Sequence, residues 1–166
     1  MHQLESDFSL YYDNKSSYYQ SLCQQLEGLL SIERDPITNM SQVASFVFYS
    51  IPDLNWSGFY LNVDDENLRL GPFNGKVACV HIPFGKGVCG TVAQQRQSVR
   101  VDDVHSFAGH IACDSASNSE IVVPIVHDGR LFGVLDIDSP TLNRFDDDDL
   151  VGFEKLAATF AAATNL

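Results

Sequence analysis

The chain has 166 residues, a net charge of −12 and an apolar fraction of 45%. That is enough chain for one well-filled core and too little for two comfortable domains, and the composition is that of a globular protein, not a disordered one. The acidic balance argues against nucleic acid and anionic membrane as partners, since both demand basic patches, and no apolar run approaches the length that crosses a bilayer.

The opening residues, MHQLESDFSLYYDNK, carry neither a basic n-region nor an apolar h-region, so a cytoplasmic location is expected. From Ser16 to Leu30, Tyr18, Tyr19, Leu22, Cys23, Leu26, Leu29 and Leu30 recur at helical spacing. Cys23 lies on that stripe and reads as core. A second helix is expected from Ile37 to Tyr49, with Pro36 in its first turn and Pro52 beyond its end. Short β-rich runs follow at 56–63, 67–70, 77–82, 99–101, 120–126 and 130–137, with a short helix between Gly87 and Arg96. The aspartates of FDDDDL, Phe145 to Leu150, open a last helix at about 146–163. They read as caps and dipole complements, because the turn glycine and spaced oxygen ligands of a calcium loop are missing.

Helices at both ends of strands joined by turns make an α+β fold. The expected architecture is one domain, 1–166, with a central antiparallel sheet of about six strands and the N-terminal and C-terminal helices packed on one face. Helices occupy about 16–50, the sheet and its loops about 56–139, and the last helix about 146–163. GKGVCG, Gly85 to Gly90, matches a dinucleotide-binding G-x-G-x-x-G, with Asp102 or Asp103 as the ribose acid. However, Pro83 interrupts the strand and the connection is too short for a parallel crossover, so the glycines read as a turn that starts a helix.

Four cysteines without a secretory signal point to catalytic, redox or metal roles. Cys113 sits in the polar stretch GHIACDSASNSE, where an inert packing thiol is not expected. A zinc set would join Cys79, Cys89 and Cys113 to His81, His105 or His110, but there is no C-x-x-C pair and the separations are long. A redox reading needs an accessible attacking thiol and a second thiol to resolve it. Cys113 fits the first role, with His110 as a local cation, and Cys79 or Cys89 fits the second.

The hairpin IVVPIVHDGRLFGVLDIDS places the acids. A three-residue loop, His127 to Gly129, pairs Val126 with Arg130 and Glu120 with Asp136, and Asp138 shares their face. A two-residue loop would turn Glu120 to the opposite face, and solvated acids at strand ends are the bland alternative. In NWSGFYLN, Trp56, Gly58 and Tyr60 share a face. Two rings flanking a glycine make either an aromatic-walled slot or ordinary core packing.

GPFNGKVACVHIPFGKGVCGT, VRVDDVHSFAGHIACDSASNSEIVVPI and DGRLFGVLDIDSP resemble the free methionine-(R)-sulfoxide reductase family, whose members are single GAF domains. The likeness runs from Trp56 to the last helix, and its three cysteines at their mutual spacing are highly specific. It implies reduction of the free R sulfoxide of methionine by Cys113, resolution by Cys79, and Cys89 as the third family cysteine. Glu120, Asp136 and Asp138 are the implied substrate-binding acids, and Trp56 and Tyr60 the implied aromatic pocket. Thioredoxin or a similar dithiol would reduce the resulting disulfide, no cofactor or metal is implied, and a homodimer is left open. A sulfoxide reacts with a thiolate once its oxygen can be protonated, which the crowded acids would serve because neighbouring carboxylates raise one another's pKa. The rivals are a GAF module binding a small ligand such as a cyclic nucleotide, which would be expected to carry an output domain, and a redox sensor signalling through a Cys79–Cys113 disulfide.

Overall fold

The computed structural model of the chain describes residues 8–111, 113 and 116–166. A short helix α1 (Ser9–Asp13) leads into α2 (Lys15–Leu30) and α3 (Pro36–Ser50). Asn14 caps α2 by accepting from Ser17 N–H, and Asp35 caps α3 by accepting from Thr38 N–H, with Pro36 in the first turn. Each cap satisfies an amide that the helix itself leaves without a partner. The strands are β1 (Trp56–Asn62), β2 (Asn67–Gly75), β3 (His81–Pro83), β4 (Val99–Val101), β5 (Ser119–His127) and β6 (Arg130–Ser139). Helix α4 (Gly87–Gln95) lies between β3 and β4, and α5 (Asp147–Ala163) ends the fold.

The six strands form one antiparallel sheet in the order β3-β2-β1-β6-β5-β4. On one face Leu22, Leu26 and Leu30 of α2, Val43 and Val47 of α3, and Phe153, Leu156 and Phe160 of α5 pack against Phe59, Ile121 and Ile137. On the other, Val88, Cys89 and Val92 of α4 pack against Trp56, Tyr60, Val122 and Val134. The alternation of strand side chains divides the sheet residues between these two cores. The terminal helices share one face as expected, and α4 covers the other together with residues after β4 such as Val104, Phe107 and Ile111. No described helix is long and apolar enough to cross a membrane.

Two strand expectations need correction. Strand β2 continues to Gly75, whereas the run from Val77 to Ile82 forms a strand only from His81. The reason is a turn at Lys76, after which the chain runs as a loop until Arg69 pairs with His81. Helix α1 was not legible, because five residues are too few to display a helical period.

The acidic start of α5 is a cap and more. Asp146 and Asp149 form a reciprocal capping box. Asp149, wholly buried, also accepts from Tyr11 Oη at 2.5 Å, Tyr19 Oη at 2.8 Å and Lys15 Nζ at 2.8 Å. Arg144 donates to Tyr11 Oη at 2.7 Å and to the Pro52 carbonyl at 2.6 Å. A buried carboxylate is tolerated when it is paired and fully hydrogen-bonded.

Candidate active site

The β5–β6 hairpin sets the site. Its loop has two residues, Asp128 and Gly129, both at positive φ, which is the backbone that a two-residue hairpin turn requires. His127 pairs with Arg130, so the three-residue loop and its Val126–Arg130 pairing are corrected. A bulge then intervenes: Val126 pairs with Leu131 but Ile125 pairs with Gly133, leaving Phe132 as the extra residue. One inserted residue reverses the side-chain parity of the rest of the strand. Glu120 consequently stands opposite Asp138, and Val122 opposite Asp136, in place of the expected Glu120–Asp136 pairing. All three acids nevertheless share the α4 face and line one cavity beneath that helix. They are not solvated strand ends, since Glu120, Asp136 and Asp138 are 8%, 5% and 9% exposed.

Burial dominates the acids' chemistry. The Glu120 carboxyl is pushed well above the usual carboxylate range by loss of solvent and by Asp136 beside it. Asp136 is pushed up to about 8, first by burial and then by the charge of Asp138. Its Oδ1 is buried without a hydrogen-bond partner. Carboxyls this close titrate as a unit, and the unit keeps at least one proton at neutral pH.

The cysteines lie at the same cavity. Cys79 and Cys113 form a disulfide with Cα atoms 5.2 Å apart. Cys113 lines the cavity, as does Cys89, whose Sγ is 3.9 Å from Glu120 Oε1. Burial, followed by the acids Asp136 and Glu120, holds the Cys89 thiol well above its ordinary pKa, so it stays protonated. Cys23 is free, half-buried and packed against the helical core. His110 lines the cavity, but burial and the neighbouring His105 hold its imidazole below the usual histidine value, so it supplies no cation near neutral pH. Ala112, Asp114 and Ser115 of the GHIACDSASNSE stretch lie outside the described residues.

The aromatic wall is a stack. Trp56 lies on Phe73 at 5.2 Å between ring centroids and on Tyr60 at 5.8 Å. The space over Gly58 is filled, since a Cβ there would meet Phe73 Cβ at 2.4 Å and the Trp56 ring at 2.8 Å. The glycine admits the stack and opens no slot of its own, while Trp56 and Tyr60 still line the cavity. Both rings also reach the β2–β3 loop: Trp56 Nε1 donates to the Lys76 carbonyl at 3.1 Å, and Tyr60 Oη to the Cys79 carbonyl at 3.1 Å.

The zinc set considered from the sequence is not assembled. The group of described residues with cation-holding spacing is Cys89, Glu120 and Asp136, whose donor atoms lie within 4.8 Å of one another. It contains no histidine, and burial favours the protonated form of its acids and its thiol.

The GAF domain family matches residues 38–165. The free methionine-R-sulfoxide reductase of Escherichia coli (strain K12) is 46% identical over 145 residues, spanning 87% of this chain and 87% of that one. The chain belongs to the free methionine-(R)-sulfoxide reductase family of GAF domains. The X-ray structure of the family's enzyme from Neisseria meningitidis in complex with its substrate superposes with a TM-score of 0.88 at 38% identity, over 98% of this chain and 95% of that one. A putative GAF sensor protein from Burkholderia vietnamiensis superposes with a TM-score of 0.87 at 51% identity, over 91% and 96%. The single GAF domain with its six-stranded antiparallel sheet is as expected from the family.

The cavity of this reductase-family chain brings together Trp56, Tyr60, Cys89, Cys113, Glu120, Asp136 and Asp138, with Cys79 joined to it through the disulfide. The sequence reading missed Lys86, Ile111 and Ser117 as lining residues. Lys86 had a signal, since it lies between the first two glycines of GKGVCG, just before the helix starts at Gly87.

Proposed function

We propose that the protein reduces free L-methionine (R)-S-oxide to methionine in the cavity beneath α4, with a thiol cycle between Cys113 and Cys79. The observation that carries this reading is the Cys79–Cys113 disulfide at the edge of a cavity lined by proton-holding buried acids.

The Cys113 thiolate attacks the sulfoxide sulfur while the acid cluster protonates its oxygen. The S–O bond breaks as the oxygen moves to Cys113, giving methionine and a sulfenic acid. The Cys79 thiol then attacks the Cys113 sulfur, its proton and the departing hydroxide leave as water, and the disulfide remains. An ionised carboxylate of the cluster pairs with the substrate's ammonium group. The N-terminus of α4, with Gly87 and Lys86 at the cavity, suits the substrate carboxylate. The Trp56 and Tyr60 faces hold the soft sulfur and its methyl group. Cys89, buried and protonated against Glu120, acts within the acid cluster. Thioredoxin or a similar dithiol restores the thiols in a reducing cytoplasm.

The test is NADPH-coupled turnover of the separate R and S epimers with thioredoxin and thioredoxin reductase. Consumption of the R epimer alone is expected, and stoichiometric oxidation without turnover would favour a redox sensor.

A further inference from the structure

The β2–β3 loop carries Cys79 between two apolar side chains left in solvent, Val77 at 87% exposure and Val80 at 53%. Exposed valines usually sit singly and mean nothing, but these flank a disulfide sulfur. The loop is held from inside: Trp56 and Tyr60 donate to the Lys76 and Cys79 carbonyls, and Leu70 N–H donates to the Val80 carbonyl at 2.9 Å. The valines are therefore presented on a fixed backbone.

Charge sets this face apart. In a chain of net charge −12, the stretch from Asn67 to Val101 holds no Asp or Glu, and it puts Lys76 and Lys86 on the loops either side of β3, near Cys79. Both are exposed. The two sulfurs also differ. Cys113 lines the cavity, whereas Cys79 is not among the described residues lining it, though it is partly exposed.

We propose that the Val77–Val80 strip is the docking surface for the reducing partner, a protein dithiol with an apolar active-site rim and an acidic surround, and that this partner attacks Cys79. This rests on the reading of Cys79 and Cys113 as the redox pair of a reductase. The partner's thiolate forms a bond to Cys79 Sγ, the Cys79–Cys113 bond breaks, and Cys113 departs with the electron pair as a thiolate inside the cavity. The partner's second thiol then attacks its own sulfur in the mixed disulfide and releases Cys79. The partner ends as a disulfide, and its two thiol protons end on Cys79 and Cys113. Docking outside the cavity leaves Cys113 reduced where the next sulfoxide binds. The two lysines steer an acidic partner in a salt-dependent way.

The experiment compares turnover of methionine sulfoxide by the unaltered chain, Val77→Asp, Val77→Asp/Val80→Asp and Lys76→Glu, driven either by thioredoxin with its reductase and NADPH or by dithiothreitol. Loss of an interface anchor costs about tenfold or more, so the KM for thioredoxin should rise about tenfold in each valine variant and rise with added salt in the unaltered chain. Dithiothreitol-driven rates should stay level, which also reports that the variants are folded. An unchanged KM for thioredoxin in the double variant overturns the proposal, as does an unaltered chain that thioredoxin does not drive. Trapping the oxidised chain with thioredoxin lacking its second active-site cysteine should give a mixed disulfide at Cys79 by peptide mapping, and a link at Cys113 overturns it. Absence of turnover even with dithiothreitol instead sinks the reductase reading on which the proposal rests.

Discussion

Glu120 and Asp138 are direct cross-strand partners, two carboxyls facing each other on adjacent strands at 8% and 9% exposure. Like charges placed opposite each other destabilise a sheet, so this pair persists in a fold only where protons or a bound cation relieve it. Glu120→Gln, Asp136→Asn and Asp138→Asn should each lower kcat/KM by about 10²-fold, the scale of a lost general acid or charge partner. Steady-state kinetics on the R epimer measure this. Near-normal kinetics in all three would return the acids to a purely structural role.

Glu120→Gln and Asp136→Asn should be more stable than the unaltered chain at alkaline pH. Folding raises the Asp136 carboxyl from its ordinary value to about 8 and raises Glu120 well above its own. A raised acid favours the folded state while it is protonated. Its contribution is fully present below the unfolded pKa near 4 and declines as pH rises toward the folded value near 8. Melting curves at pH 5 and pH 8.5 should therefore show the unaltered chain losing several degrees on going alkaline, and Asp136→Asn losing less. A melting temperature that rises with pH would contradict the burial argument.

Activity should follow the same proton. Below about pH 8 the acid cluster retains it, while the attacking thiol needs to be a thiolate, so kcat/KM should pass through a maximum and fall on the alkaline side. In Asp136→Asn the alkaline limb should move, and a profile identical to that of the unaltered chain would assign the limb to another group.

The two disulfide cysteines should separate cleanly. Cys113→Ser should abolish even a single turnover, because no nucleophile remains. Cys79→Ser should give one methionine per chain and then stall with thioredoxin, because attack precedes resolution. Rapid-quench methionine analysis distinguishes the two. Normal cycling of Cys79→Ser with thioredoxin would pass the resolving role to Cys89, despite its burial and raised pKa.

Substrate choice should be narrow. An acid-lined cavity closed by α4 and the sheet suits a free ammonium group, so the free R epimer should be consumed, and the S epimer and a sulfoxide within a peptide should be spared. Equal rates on an N-acetylated methionine sulfoxide amide would remove the ammonium from the argument.

How far the site was legible turns on one inserted residue. Alternation along the two strands was readable in the sequence, and so was the grouping of Glu120, Asp136 and Asp138. The loop was not, and a two-residue turn by itself would have turned Glu120 to the helical face. The bulge at Phe132 restores the parity, so the expected face is right although the expected partner of Glu120 is wrong. A signal was present in Gly133, a glycine inside an apolar strand, where an added Cβ would meet the Tyr60 carbonyl oxygen at 2.2 Å. Glycine in a strand marks such a bulge or close approach. The cysteines were readable because their surroundings are polar and their spacing is distinctive. Lys86, Ile111 and Ser117 were not, since lining residues far apart in sequence converge only through the fold. His110 was read as a cation from proximity alone, and burial beside His105 reverses that.

The family match begins at residue 38, whereas the knot around Asp149 begins with Tyr11 and Lys15. Helix α2 buries Tyr19, Leu22, Leu26 and Leu30, and Tyr19 sits so close over Gly152 of α5 that a methyl group there would meet its ring at 2.3 Å. An expression fragment trimmed to the matched segment would thus leave Asp149 without three of its hydrogen-bond donors and expose the side of α5 that α2 covers. The folded unit therefore begins ahead of the matched segment, and the leading helices belong in any minimal version of this protein.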